Sequence, residues 1–107
     1  MKKGLIKVSL MYPNKPNSSF DMDYYLNKHV PMVVGLIGDS IKGAAIEKGL
    51  AGAVPGMEPV YVAQGHMYFD SIDSFQNSFG PNADRIMGDI PNYTDIEPAI
   101  LISEVLV

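Results

Sequence analysis

The chain contains two kinds of stretch: in one, apolar and polar residues alternate, and in the other, apolar residues recur every three or four positions. The alternating stretches predict strands at residues 4–12, 40–49, 60–69 and 99–107. The helical spacing predicts helices at residues 22–36 and 71–79, with a further helical turn at residues 82–87. Asp21 is expected to cap the first helix and Asp70-Ser71 the second. The loop at residues 50–59 contains glycines and two prolines, and we expect it to be mobile.

The predicted order of elements is βαββαβ, which is the split βαβ arrangement of ferredoxin-like α+β folds. Such a chain forms a four-stranded antiparallel sheet with helices on one face. We expect residues 1–107 to form a single domain, because the length suits one core.

The last predicted strand is apolar on both of its faces. Ile100, Ile102 and Leu106 alternate with Leu101, Val105 and Val107. With helices on one face of the sheet, the other face would be left bare, and a bare apolar face is unfavourable in water. We therefore expect a two-fold homodimer whose sheets pack face to face.

The first predicted helix carries a histidine on its apolar stripe. Met22, Tyr25, Leu26, His29, Val33 and Leu36 follow one another at spacings of one, three or four residues. An inward-facing imidazole needs a hydrogen-bond partner or a ligand, because burying an unpartnered polar group is unfavourable. Pro31, two residues later, should kink the helix or end it and start another. The pattern indicates a ligand pocket without naming a reaction.

Composition excludes several classes of function. The formal net charge is -4 and no basic cluster extends beyond Lys2-Lys3, which disfavours nucleic-acid binding. The absence of cysteine excludes disulfides, thiolate catalysis and cysteine-ligated metals, and fits a cytoplasmic location. No apolar run is long enough to span a membrane. We expect no metal and no cofactor, since the two histidines show no ligand spacing.

Four segments in order carry a resemblance to a known family: 8–13, 20–31, 69–79 and 92–105. They include a Tyr-x-x-x-His-x-Pro motif at residues 25–31 and Tyr-Thr-Asp at residues 93–95. On these residues the chain resembles the EthD family, which is named for a protein linked to ethyl tert-butyl ether degradation. The resemblance implies a dimeric α+β barrel, in a superfamily that holds cofactor-free monooxygenases, small isomerases, polyketide-processing enzymes and haem proteins.

Two sets of candidate site residues follow. His29 is the candidate proton-transfer residue; Tyr25 could orient it or a substrate, or be a core tyrosine. Asp95 could hold the histidine tautomer or form a turn leading into Pro98. His66, Gln64 and Tyr68 alternate along a strand, share one face and could line a ligand cavity or face solvent or a dimer partner.

The favoured hypothesis is a small enzyme that binds a hydrophobic, cyclic or aromatic molecule and transfers a proton through a histidine. Isomerisation, cyclisation, dehydration and cofactor-free oxygenation all need a well-placed base in a dry pocket. The alternative is a non-catalytic dimer that binds a small molecule or serves as an accessory protein in a degradation pathway.

Overall fold

The computed structural model describes residues 2–107, and it confirms the predicted fold. The strands are β1 (Ile6–Pro13), β2 (Gly43–Lys48), β3 (Tyr61–Phe69) and β4 (Ala99–Glu104). They form an antiparallel sheet in the order β2-β3-β1-β4. The α-helices are α1 (Met22–Tyr24), α2 (Val30–Ile37), α3 (Ile72–Phe79) and α4 (Ala83–Gly88). This is the βαββαβ order of a ferredoxin-like fold.

A π-helical segment, Tyr25–His29, joins α1 to α2 and makes one continuous helix from Met22 to Ile37. Asp21 caps this helix, as predicted, because its side chain accepts a hydrogen bond from the Tyr24 N–H at 3.1 Å. The proline expected to disturb the helix is the second residue of α2, inside the continuous helix, where it cannot donate to a preceding carbonyl. The helix neither ends nor restarts there, but it changes from π-helical to α-helical type just before the proline.

The π-helical segment corrects the predicted apolar stripe. Tyr25, His29, Val33 and Ile37 are buried at a uniform spacing of four residues, whereas Leu26 is 45% exposed. A π turn is wider than an α turn because its hydrogen bonds span five residues, and the Val30 N–H indeed donates to the Tyr25 carbonyl. The prediction that Leu26 lies on the buried stripe was wrong, because it assumed α-helical geometry throughout.

One face of the sheet packs against the helices, and the core lies between the two layers. The strand register places Val8, Leu10 and Tyr12 of β1 on this face. Their partners across β3 are Met67, Gly65 and Ala63. Two apolar clusters fill the space, one around Phe69 and Phe75 and the other around Tyr12 and Tyr25.

The opposite face of the sheet carries no helix among the described residues, and its centre is polar. Ser9 and His66 lie side by side there and are both buried by their neighbours. The uncovered face is therefore not apolar throughout, and its centre is the polar strand face expected from Gln64, His66 and Tyr68. Residues 105–107 also lie outside β4, which ends at Glu104, so the predicted strand 99–107 is too long. Leu101, on this uncovered face, is 54% exposed.

The loop between β2 and β3 is held by its own hydrogen bonds. The Gly52 N–H donates to the Met57 carbonyl at 2.8 Å, and the Met57 N–H donates to the Val54 carbonyl at 2.9 Å. Its apolar side chains project into solvent, with Leu50 85% exposed.

No helix within residues 2–107 has the length and apolar character needed to cross a membrane.

Candidate functional site

The wide turn of the first helix directs two aromatic rings toward the sheet. Tyr25 and His29 are both buried, and their rings stack nearly parallel, at an interplanar angle of 18° with centroids 5.9 Å apart. They are four positions apart, which places them one above the other in the π-helical segment. Their spacing therefore turns both side chains toward the same part of the sheet.

Asp89 is the hydrogen-bond partner of the buried histidine. His29 Nδ1 lies 2.9 Å from Asp89 Oδ2. The other carboxylate oxygen accepts hydrogen bonds from the Tyr24 hydroxyl at 2.7 Å and from the Asn92 side-chain amide at 2.9 Å. Asp89 directly follows α4, and its own N–H is anchored to the Ile86 carbonyl. Three donors from two parts of the chain thus hold this carboxylate in place.

The ionisation of Asp89 fixes the tautomer of His29. Burial raises the pKa of the Asp89 carboxyl, but the hydrogen bonds from Asn92, Tyr24 and His29 outweigh burial and hold that pKa below its ordinary value. An ionised carboxylate can only accept hydrogen bonds. The hydrogen of neutral His29 is therefore on Nδ1, and Nε2 carries a free lone pair.

Further aromatic rings enclose the histidine. The Tyr93 ring lies 4.8 Å from the His29 ring, centroid to centroid, at a tilt of 55°. The hydroxyls of Tyr93 and Tyr12 are 2.6 Å apart and share one hydrogen bond. Burial raises the pKa of both tyrosines, so both remain neutral phenols near neutral pH.

A cavity of about 90 Å³ lies between this helix and the sheet. Its walls are almost entirely apolar, with residues from β1, β2 and β3 and from α2, α3 and α4. The polar side chains that line it are Tyr12, Tyr25 and His29. The cavity is smaller than the pockets that hold drug-sized ligands, and it suits a single ring or a short chain.

The structure brings together two of the three predicted catalytic residues. Tyr25 and His29 line the same cavity, whereas Asp95 lies elsewhere. The Asp95 carboxylate accepts a hydrogen bond from the Ser19 N–H at 3.0 Å, and therefore fastens the segment before the first helix. Asp89 takes the position beside His29 that was expected for Asp95. None of residues 50–59 lines the cavity.

The three predicted ligand-binding residues lie on the other face of the sheet. His66 Nε2 donates to Gln64 Oε1 at 2.9 Å and lies 3.2 Å from Glu47 Oε1. Both of these atoms accept, so in the neutral ring the hydrogen is on Nε2, and Nδ1 accepts from the Ser9 hydroxyl at 2.8 Å. Protein groups thus occupy both ring nitrogens of His66. Tyr68 lies beneath the Lys7 ammonium on the same face.

Sequence reasoning missed Asp89 and Tyr24. Asp89 is 60 positions from His29 and stands in a segment without periodicity, so no pattern indicates where its side chain points. Tyr24 adjoins Tyr25, but its contact with Asp89 depends on how the helices pack. Within residues 2–107, no three histidine or acidic side chains are grouped closely enough to hold a metal ion.

Comparisons with known proteins show which family this chain is similar to. The model of the EthD domain matches residues 18–97. An EthD-like protein from Ralstonia eutropha JMP134 is 42% identical over 99% of this chain and 96% of its own, with a TM-score of 0.91. A search of curated proteins finds no match.

Two more distant structures share the fold alone. A putative antibiotic biosynthesis monooxygenase from Bordetella bronchiseptica is 12% identical, covers 97% of this chain and 99% of its own, and has a TM-score of 0.62. A protein from Thermobifida fusca, described as a dimeric ferredoxin-like protein, is 14% identical over 98% of this chain and 93% of its own, at a TM-score of 0.50.

Proposed function

The chain belongs to the EthD family, and we propose that it is a small enzyme in which His29 moves a proton on a compact, mostly apolar molecule bound beneath the first helix. Asp89 holds the histidine ring and stabilises its charged form. Tyr25 lies beside the same ligand. The proposal commits to proton transfer, which is the step that the isomerase, cyclase, dehydratase and cofactor-free oxygenase hypotheses have in common.

The contact between His29 and Asp89 carries this proposal. A carboxylate on Nδ1 leaves the Nε2 lone pair as a base, and it also stabilises the imidazolium that forms when a proton is taken up. Histidine is the side chain whose ordinary pKa lies closest to neutral pH, so it can both take and return a proton. The apolar walls keep bulk water from competing for that proton.

We also propose that two copies pair through the uncovered face of the sheet. The exposed Leu101 of β4, which lies on this face, and the described dimeric state of the Thermobifida fusca protein support this pairing. In such a dimer each cavity lies on the helical side of its own sheet, so each protomer would hold a complete site.

The deprotonation of isoxazole, a single five-membered ring, tests the base directly. Loss of its C3 proton breaks the N–O bond and gives the enolate of cyanoacetaldehyde, which is followed by its ultraviolet absorbance, with no cofactor or co-reactant. We expect saturable catalysis. His29→Gln should lower the rate by about 100-fold or more. Asp89→Asn should lower it by about tenfold or more, because the tautomer is no longer held.

The matched control is His66→Gln, which removes the other histidine from the opposite face of the sheet and should leave the rate unchanged. Full activity in His29→Gln would contradict the proposal. Saturable binding of the probe without any turnover would instead favour the non-catalytic alternative, a dimer that stores or delivers a small molecule.

A further inference from the structure

The Tyr25 hydroxyl is a buried donor directed into the cavity. Tyr25 is 3% exposed, and its hydroxyl reaches the floor of the cavity at Gly65, where a Cβ atom would lie only 2.9 Å from the oxygen. Among residues 2–107 this hydroxyl makes no side-chain hydrogen bond, yet no fully enclosed polar side-chain atom there lacks a partner. The hydroxyl is therefore open to the cavity and available to a ligand.

The other polar groups of the cavity have fixed roles. The Tyr12 hydroxyl already shares a hydrogen bond with Tyr93, and His29 Nδ1 is bound to Asp89. This leaves one acceptor, His29 Nε2, and one free donor, the Tyr25 hydroxyl. Burial and the neighbouring Tyr12 raise the pKa of Tyr25, so the phenol keeps its hydrogen and remains a donor.

We infer that the cavity takes a small apolar ketone, whose carbonyl oxygen accepts a hydrogen bond from Tyr25 and whose α-hydrogen faces His29. An apolar wall with one donor beside one base matches a molecule that has one acceptor oxygen and one weakly acidic hydrogen. The inference rests on the proposed function for the role of His29, and it adds the substrate class and the role of Tyr25.

The chemical step balances without a co-reactant. His29 Nε2 takes the α-hydrogen as a proton, and the electron pair of that C–H bond forms the carbon–carbon double bond of the enolate. The π pair of the carbonyl moves onto oxygen, where the hydrogen bond from Tyr25 strengthens as charge develops. Returning a solvent-derived proton to the same carbon gives hydrogen exchange, and in a ketone with a β,γ double bond, returning the proton to the γ carbon gives the conjugated isomer.

Two ligands of nearly the same shape test the inference. Cyclohexanone and methylenecyclohexane differ in the carbonyl oxygen, which the second replaces with a CH₂ group. After correction for the different transfer free energies of the two ligands from water to an apolar solvent, we expect the wild-type protein to prefer the ketone by about threefold to tenfold. Tyr25→Phe should remove that preference, while Tyr68→Phe, on the other face of the sheet, should keep it. An equal affinity for both ligands, or a preference that survives in Tyr25→Phe, would overturn the inference.

A measurement on the unaltered protein guards against a variant that does not fold. The carbonyl carbon of bound ¹³C-labelled cyclohexanone should resonate downfield of its position in an apolar solvent, because a hydrogen bond polarises the C=O group. A bound resonance at the apolar-solvent position would overturn the inference.

Exchange of the α-hydrogens in D₂O separates this inference from the proposed function. If the protein prefers the ketone but does not exchange its α-hydrogens, the result supports the role of Tyr25 and contradicts proton transfer by His29. Exchange that is lost in His29→Gln, together with equal affinity for the two ligands, supports the base and overturns the ketone assignment.

Discussion

At the scale of single residues, the site depends on a carboxylate that accepts three hydrogen bonds. Asp89 holds His29 and is itself held by Tyr24 and Asn92. A half-buried carboxylate with this many donors stabilises the folded chain only while the carboxylate is ionised. Its contribution to the free energy of unfolding must therefore depend on pH.

Asp89→Asn should lower the free energy of unfolding by about 1–3 kcal/mol at pH 7. Because the pKa of Asp89 is depressed in the folded chain, its contribution is present above the ordinary carboxyl pKa of about 4 and is lost as pH falls through the lower, folded-state value. Urea unfolding at pH 7 and at successively lower pH values measures this. Asp84→Asn, exposed on α4, is the control. An undiminished difference at the lowest pH would contradict the argument.

Gly65→Ala should close the cavity floor and destabilise the fold by about 1–3 kcal/mol, the usual range for overpacking. The added Cβ would lie 2.9 Å from the Tyr25 hydroxyl, so the tyrosine must move. Gly35→Ala, in α2 with no atom within 4 Å, should instead stabilise the helix by about 0.5–1 kcal/mol. Thermal unfolding of both variants checks the pair, and an equal response would refute the assignment of Gly65.

The residues of the site were foreseeable where a helix repeats and not where the chain is irregular. Helical spacing is enough to place Tyr25 and His29 on an inner face. Asp89 and Asp95 both lie in residues 89–98, where no period tells which side chain turns inward. The choice between the two carboxylates depends on how α4 and the following turn pack against the first helix, which is information that single positions do not contain.

At the scale of elements, the first helix is the component that builds the site. Its cap, its π-helical segment and its proline follow one another within eleven positions, from Asp21 to Pro31. The Asp21 N–H also donates to the Tyr93 carbonyl at 2.7 Å, which ties the helix start to the aromatic cluster. The π-helical segment was not predicted, because its amino-acid composition does not differ from that of an α-helix.

Asp21→Ala should lower stability by about 0.5–2 kcal/mol, the usual cost of a lost N-cap. Asp21→Asn is the matched variant, since asparagine keeps the capping oxygen and removes only the charge. We expect Asn to retain most of the stability, as measured by the midpoint of thermal unfolding. If Asn lost as much stability as Ala, the helix dipole would be the main contribution and the cap a minor one.

At the scale of the whole molecule, the sheet separates two environments of opposite character. One face carries the apolar cavity with a histidine that has a free ring nitrogen, and the other carries His66 with both nitrogens bound. The order of the elements made the two faces predictable. The contacts of His66 with Ser9 and Glu47 were not, because these residues come from three strands whose register is set only on folding.

Leu101 and Ile100 are neighbours on β4 that test which face joins two copies. Leu101 is on the uncovered face beside Ser9, and Ile100 points to the helical side beside Leu10; each is about half exposed. Light scattering of the wild-type protein at micromolar concentration should give twice 11.7 kDa. Leu101→Lys should shift the population toward monomer, since it buries a charge in an isologous interface twice over. Ile100→Lys should leave the dimer intact. A wild-type monomer, or the opposite response of the two variants, would show that the uncovered face does not join the subunits.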